Sequence, residues 1–244
     1  MSSVRIKFTR GEEVKFISHL DLMKVFERAI RRSGLPIAYS QGFNPHPQMV
    51  FGLPLSVGVT SDGEYADFEL AREMKPEQFM EELNSSLPEA IRITAAGEKH
   101  IKANIMASIL GADYSLGIFL NEMLSLETAA EKLEMLMKMD CIKVLKEGKG
   151  IAKEIDIRPM ILDARLEEMK QVPFGYEDFK AAFTVLARFK AGSNANLRPE
   201  LFVRALTEQA ELPVVTSRLH RRALYVEKNG RMVDPLDEAV LNNT

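Results

Sequence analysis

One stretch, residues 16–51 (FISHLDLMKVFERAIRRSGLPIAYSQGFNPHPQMVF), leaves the chain little freedom in how it folds. Ser18 and Asp21 make the Ser-x-x-Asp box that satisfies the open amide donors of a new helix, and Asp21 suits the positive end of its dipole. Leu22, Met23, Phe26, Ala29 and Ile30 follow at three- and four-residue steps, giving an apolar stripe of helical period that Gly34 and Pro36 bring to a stop. Such a stripe must be buried, and the flanking sequence supplies strands to bury it on. Residues 4–9 alternate Val-Arg-Ile-Lys-Phe with the period of a half-buried strand. Residues 36–39 read as a short strand, and 49–59 and 64–70 as two more around a turn at Thr60-Ser61-Asp62-Gly63, with Asp62-Gly63 as its hairpin signal. Pro76 opens a helix over 76–83, and 91–95 alternate again as a strand.

Strand, helix, strands with a hairpin, helix, strand is the order of a split βαβ arrangement. The second half repeats it: strand 114–120, helix 126–139, strands 141–145 and 154–161 around Lys146-Glu147-Gly148, strand 179–189, helix 199–210 and strand 222–227. The expected fold is therefore α+β, two tandem ferredoxin-like halves packed together, over residues 1–100 and 101–244. Residues 100–112 connect them with enough apolar side chains to pack, and the chain from Asp234 onward reads as a surface tail.

A chain of 244 residues with 46% hydrophobic content can bury a substantial core. No apolar run is long enough to span a bilayer and the first ten residues are too charged for a secretory signal, so a cytoplasmic protein without membrane association is expected. Cys141 is the single cysteine, expected as an inert buried thiol at the start of a strand; alone it cannot hold an iron-sulfur cluster. The net charge of −3 argues against a uniformly basic nucleic-acid binder. Its distribution is uneven, however. Residues 1–60 carry eight Lys and Arg against four Asp and Glu, a net of +4, and residues 61–100 carry four against ten, a net of −6. Phosphates respond to the local field.

The outer face of the first helix carries Lys24, Arg28, Arg31 and Arg32. It is either a solvated face on which Glu27 pairs Arg31 or an anion-binding face. Beyond it, Pro45 and Pro47 stiffen a loop that displays Gln41, Asn44 and His46, a reasonable place for recognition. Near the end of the chain, strand alternation puts Arg218, His220 and Arg222 on one face, to meet either phosphates or the acidic 61–100 region of the same fold. His19, His46, His100 and His220 lack metal-ligand spacing, no metal site is expected, and the phosphate-loop, dinucleotide and Gly-x-Ser-x-Gly motifs are absent.

The runs ISHLDL, RAIRRSGLPIAYSQGFNPHP, FGLPLSVGV and EYADFEL resemble the radical SAM-linked family, a bacterial domain of unknown function, with a specific match over about the first 70 residues. That resemblance implies a noncatalytic accessory domain working with a radical SAM protein. The partner, and not this chain, would carry S-adenosylmethionine and an iron-sulfur cluster. The substrate it implies is an RNA or ribonucleoprotein, such as transfer or ribosomal RNA, with Lys24, Arg28, Arg31, Arg32, Gln41, Asn44, His46, Arg218, His220 and Arg222 as candidate contacts. Two alternatives stay open: an RNA-processing or RNA-modifying enzyme using His19 or His46 as acid or base beside a cation, and a protein-interaction module.

Overall fold

A computed structural model describes residues 2–147 and 152–242. The chain adopts the α+β class and divides into two compact units, Met1–Gly111 with Arg221–Thr244, and Ala112–His220.

The first unit opens with β1 (Ser2–Arg10), α1 (His19–Ser33), β2 (Met49–Phe51), β3 (Thr60–Leu70), α2 (Pro76–Asn84), β4 (Ile93–Glu98) and a short α3 (Ile105–Ser108). β1 lies between β4 and β3, and β2 adds to the far half of β3, all antiparallel. The Ser18 hydroxyl oxygen accepts the Asp21 N–H at 3.1 Å, and Gly34 closes α1 in the left-handed region at φ 68°. Leu22, Phe26, Ala29 and Ile30 are buried as their spacing demands. The Phe26 ring packs edge-on against Phe8 and Phe51 at 5.2 and 5.1 Å, which joins α1 to the sheet through the aromatic core.

The second unit contains β5 (Ile109–Leu120), α4 (Leu126–Met137), β6 (Lys143–Glu147), β7 (Ala152–Asp156), β8 (Ile161–Glu168), β9 (Ala181–Lys190), α5 (Pro199–Glu208) and β10 (Val214–Lys228). Its strand order is β10-β5-β9-β8, and β6 and β7 pair apart as their own ribbon. Phe119 stacks near Tyr176 and Phe179, and Phe189 near Tyr114 and Phe202, which fills the core from both sheet and helix. From Arg221 onward β10 belongs to the first unit, followed there by β11 (Arg231–Val233) and α6 (Glu238–Leu241).

Several local expectations fail for physical reasons. Asp62-Gly63 is no hairpin: both residues lie inside β3, and a Cβ on Gly63 would stand 2.9 Å from the Arg222 carbonyl, so this glycine serves close strand approach. The strand expected over 49–59 stops at Phe51, and residues 36–39 make only the isolated bridges Ile37 to Leu70 and Tyr39 to Pro47. The strand expected over 154–161 is broken at Asp156, whose Oδ1 accepts the N–H groups of Ile142 and Arg158. Gly148, in the turn read from Lys146-Glu147-Gly148, lies outside the described residues.

Cys141 is exposed and precedes β6, contrary to the expected buried thiol. Nor is the chain from Asp234 simply the surface tail expected. Asp234 Oδ2 accepts from Lys7 Nζ and from the Tyr65 hydroxyl, the Pro235 carbonyl accepts from Arg5, and Val240 and Leu241 are buried. These contacts, with the pairing of β10, group the end of the chain with the first unit, whereas the expected division at residue 100 kept it in the second.

Candidate functional site

On the outer face of α1, Lys24 Nζ lies 3.3 Å from Asp21 Oδ1, with both side chains more than half exposed. The Ser18 hydroxyl, and after it Lys24, hold the Asp21 carboxyl below the ordinary aspartate range. Arg28 and Arg31 are exposed and form no ion pair among the described residues, and Glu27 does not pair Arg31 as a neutralised face would require. Arg32 is tethered, donating to the Ser86 carbonyl. Charge on this helix is thus partly compensated at its start and left open along its middle and last turn.

The loop after α1 leaves the edge of the sheet at Tyr39 and returns at Pro47. Two bonds close it: the Ser40 N–H donates to the His46 carbonyl at 2.9 Å, and the His46 N–H to Ser40 Oγ at 3.0 Å. Gly42 at φ 134° takes a backbone conformation that side chains disfavour. Gln41, Asn44 and His46 all point their side chains into solvent. Phe43 does so too, with its ring fully exposed. Sequence reasoning passed over Phe43, although an aromatic residue with no periodic partner inside a polar, proline-framed loop was the available signal.

Beneath these surfaces the first unit buries more charge than its sequence suggested. Arg5 grips Asp67 with two bonds of 2.7 and 3.0 Å, Lys99 lies 3.6 Å from the same carboxylate, and the Ile105 N–H donates to it at 2.9 Å. Arg221 holds Glu64 through two bonds of 2.8 and 2.5 Å and donates to the Leu53 carbonyl. Buried Arg10 donates to the Val14 and Ile17 carbonyls, while its Nε has no partner. Burial pulls the Arg10 guanidinium below its usual range, with Glu64 opposing and Arg221 adding to the fall. Nothing in the sequence separated these arginines from surface ones, because alternation with apolar neighbours is what an outward-facing strand residue also shows.

His19, the first residue of α1, is half-buried with its ring edge-on to Phe51 at 5.8 Å. Burial, and then the charge of Arg10, lower its pKa, so the imidazole stays neutral near pH 7. On β10 the alternation is as expected, and the opposite face adds a cation that the sequence reading did not single out. Arg221, on the face opposite Arg218, His220 and Arg222, also meets the acidic 61–100 region, through Glu64. Arg222 is exposed within the first unit, and Arg218 and His220 are half-buried within the second. Among the described residues no cluster of three or more His, Cys, Asp or Glu could hold a metal ion, and no helix is long and apolar enough to cross a membrane.

Comparison with known proteins gives a family and little else. Solved structures with weak similarity include the encapsulated DyP-type peroxidase from Mycobacterium smegmatis, at 12% identity and TM-score 0.21 over 89% of this chain and 91% of that one. DyPB from Rhodococcus jostii RHA1 (12%, TM-score 0.22, 96% and 95% covered) and a dye-decolorizing protein from V. cholerae (8%, 0.22, 89% and 92%) are similar to the same degree. Likeness at that level bears on neither fold nor activity. No curated protein matches. Residues 3–199 match the family described as "Uncharacterized protein conserved in bacteria (DUF2344)". With most of its length under that match, the chain belongs to this bacterial family.

Proposed function

We propose that the protein is a noncatalytic, RNA-facing accessory domain that presents an RNA or ribonucleoprotein substrate to a radical SAM enzyme, and that each unit is a ferredoxin-like half. The observation that carries the RNA-facing reading is the pair Arg28 and Arg31, exposed on α1 and left without acidic partners among the described residues. Two like charges on one helix face repel unless an anion lies across them. The strand orders, β4-β1-β3-β2 in the first unit and β10-β5-β9-β8 in the second, support the ferredoxin-like reading. The β6–β7 ribbon is then an insertion in the second half. A lone cysteine leaves any cluster and its S-adenosylmethionine to the partner enzyme.

The test is binding of transfer or ribosomal RNA fragments across a salt series. Wild-type affinity should fall as salt rises, and Arg28→Glu with Arg31→Glu should flatten the log–log slope by about 1.4 for two lost single-strand phosphate contacts. An unchanged slope and affinity in the double variant would remove the basis for the reading. A second reading, RNA processing with His19 as general base, is favoured by its neutral, half-buried imidazole near the buried charge of Arg10. RNA cleavage or modification by the purified protein, lost in His19→Ala, would support it.

A further inference from the structure

We propose that the loop over residues 40–47 is a binding site for an unpaired nucleobase, with Phe43 as its stacking platform. The proposal rests on the RNA-facing reading above and narrows it to single-stranded, looped or bulged RNA.

Most phenylalanines of the first unit are consumed by its core: Phe8, Phe26, Phe51, Phe68 and Phe79 are all buried. Phe16 is exposed but lies under Lys15 Nζ, 5.1 Å from the ring centroid. Phe43 differs from both groups, since among the described residues its ring meets neither another ring nor a cation. Both faces of the ring are open to water, which is the condition for a flat ligand to stack.

Its neighbours identify that ligand. Gln41, Asn44 and His46 surround the ring in sequence with amide and imidazole groups, which together offer donors and acceptors to the edge of a stacked base. A docking point for another protein's core would carry further apolar side chains, and between Ser40 and Pro47 only the Pro45 ring accompanies Phe43. The frame is closed before anything binds. The two Ser40–His46 bonds and the prolines at 45 and 47 hold the loop, so little ordering cost is left for the ligand to meet.

Charge for the backbone of the same strand is at hand. Five residues join Ser33 at the end of α1 to Tyr39 at the base of the loop, six Cα steps with a contour of at most roughly 20 Å, and Arg28 and Arg31 lie in the last two turns of that helix. An aromatic platform combined with open cations along the same strand is how proteins grip single strands. A base inside a duplex offers no face to Phe43, so paired RNA should not use the loop.

The experiment measures a short oligoribonucleotide carrying 2-aminopurine, alone and annealed to its complement, by fluorescence quenching and by affinity. Wild type should prefer the single strand and quench it. Phe43→Ala should weaken single-strand binding about 5- to 150-fold, the range expected for one lost base–aromatic stack, leave duplex binding unchanged, and lose the quench; Phe43→Trp should restore both. If Phe43→Ala binds the single strand as wild type does while Arg28→Glu with Arg31→Glu abolishes binding, stacking is overturned and the RNA-facing reading stands. If wild type binds neither strand nor duplex, both are overturned.

Discussion

Replacing Asp67 by asparagine should destabilise the first unit more than any surface change, for reasons its surroundings make quantitative. Asp67 is 3% exposed and is shared by Arg5, at 0%, and Lys99, at 6%. Asparagine keeps the shape and can still accept the Ile105 N–H, but it removes the negative charge from between two buried cations. Lys99 retains Glu69 at 3.7 Å, and that carboxylate is partly solvated. Among the described residues Arg5 then keeps no ion pair, only the Pro235 carbonyl and one bond to the neutral amide oxygen. Leaving a buried ion pair half-made costs about 3–5 kcal/mol, and at roughly 2–4 °C per kcal/mol for a chain of this size the midpoint should fall by about 6–20 °C. The chain has no tryptophan, so urea unfolding is best followed by circular dichroism. Adding Arg5→Met to Asp67→Asn should recover part of the loss, because an apolar side chain tolerates the site that an unpaired guanidinium does not. A loss below about 1 kcal/mol, or no recovery in the double variant, would refute the argument that charge pairing in a dry interior holds β1 to β3.

Two further outcomes follow from the titrating groups. His19 has a folded-state pKa below its unfolded value of about 6.5, so between the two the unfolded chain binds more protons and stability falls as pH drops through that window. Urea midpoints taken on either side of pH 6.5 should show this fall in wild type and a shallower one in His19→Asn; equal slopes would rule out burial of the neutral ring as its source. Cys141, exposed and with its thiol pushed up by desolvation and then by Asp156, should react completely with a disulfide reagent in the native protein at pH 8, slowly and without denaturant. A thiol that reacts only after unfolding would restore the buried assignment.

Local periodicity made α1 legible to the residue. Its cap, its buried stripe and its glycine stop are all written within one stretch, and the element is specified by neighbours within four positions. The starts of α2 and α5 are as legible, each with a proline at its first turn, although α2 ends at Asn84 and not 83 and α5 at Glu208 and not 210. Legibility failed where a residue answers to something distant in sequence. Gly63 looks like a turn and is a strand residue because the backbone at Arg222 passes over it. Arg5, Arg10 and Arg221 look like solvent-facing strand residues and are buried because Asp67, Glu64 and the carbonyls of residues 14, 17 and 53 wait for them. The outer face of α1 was visible as a set of cations, but which of them keep their charge open was not.

What the sequence determined by itself was the longer helices and most strands, the α+β class and the membership of the cationic face, since these depend on spacing along one helix or strand. Tertiary structure alone decided which charges are spent inside the protein. Arg221 is consumed by Glu64 and Arg5 by Asp67, while Arg28, Arg31 and the ring of Phe43 remain turned to water. A pairing partner is chosen by three-dimensional distance, and no local pattern encodes a contact across 157 positions of chain.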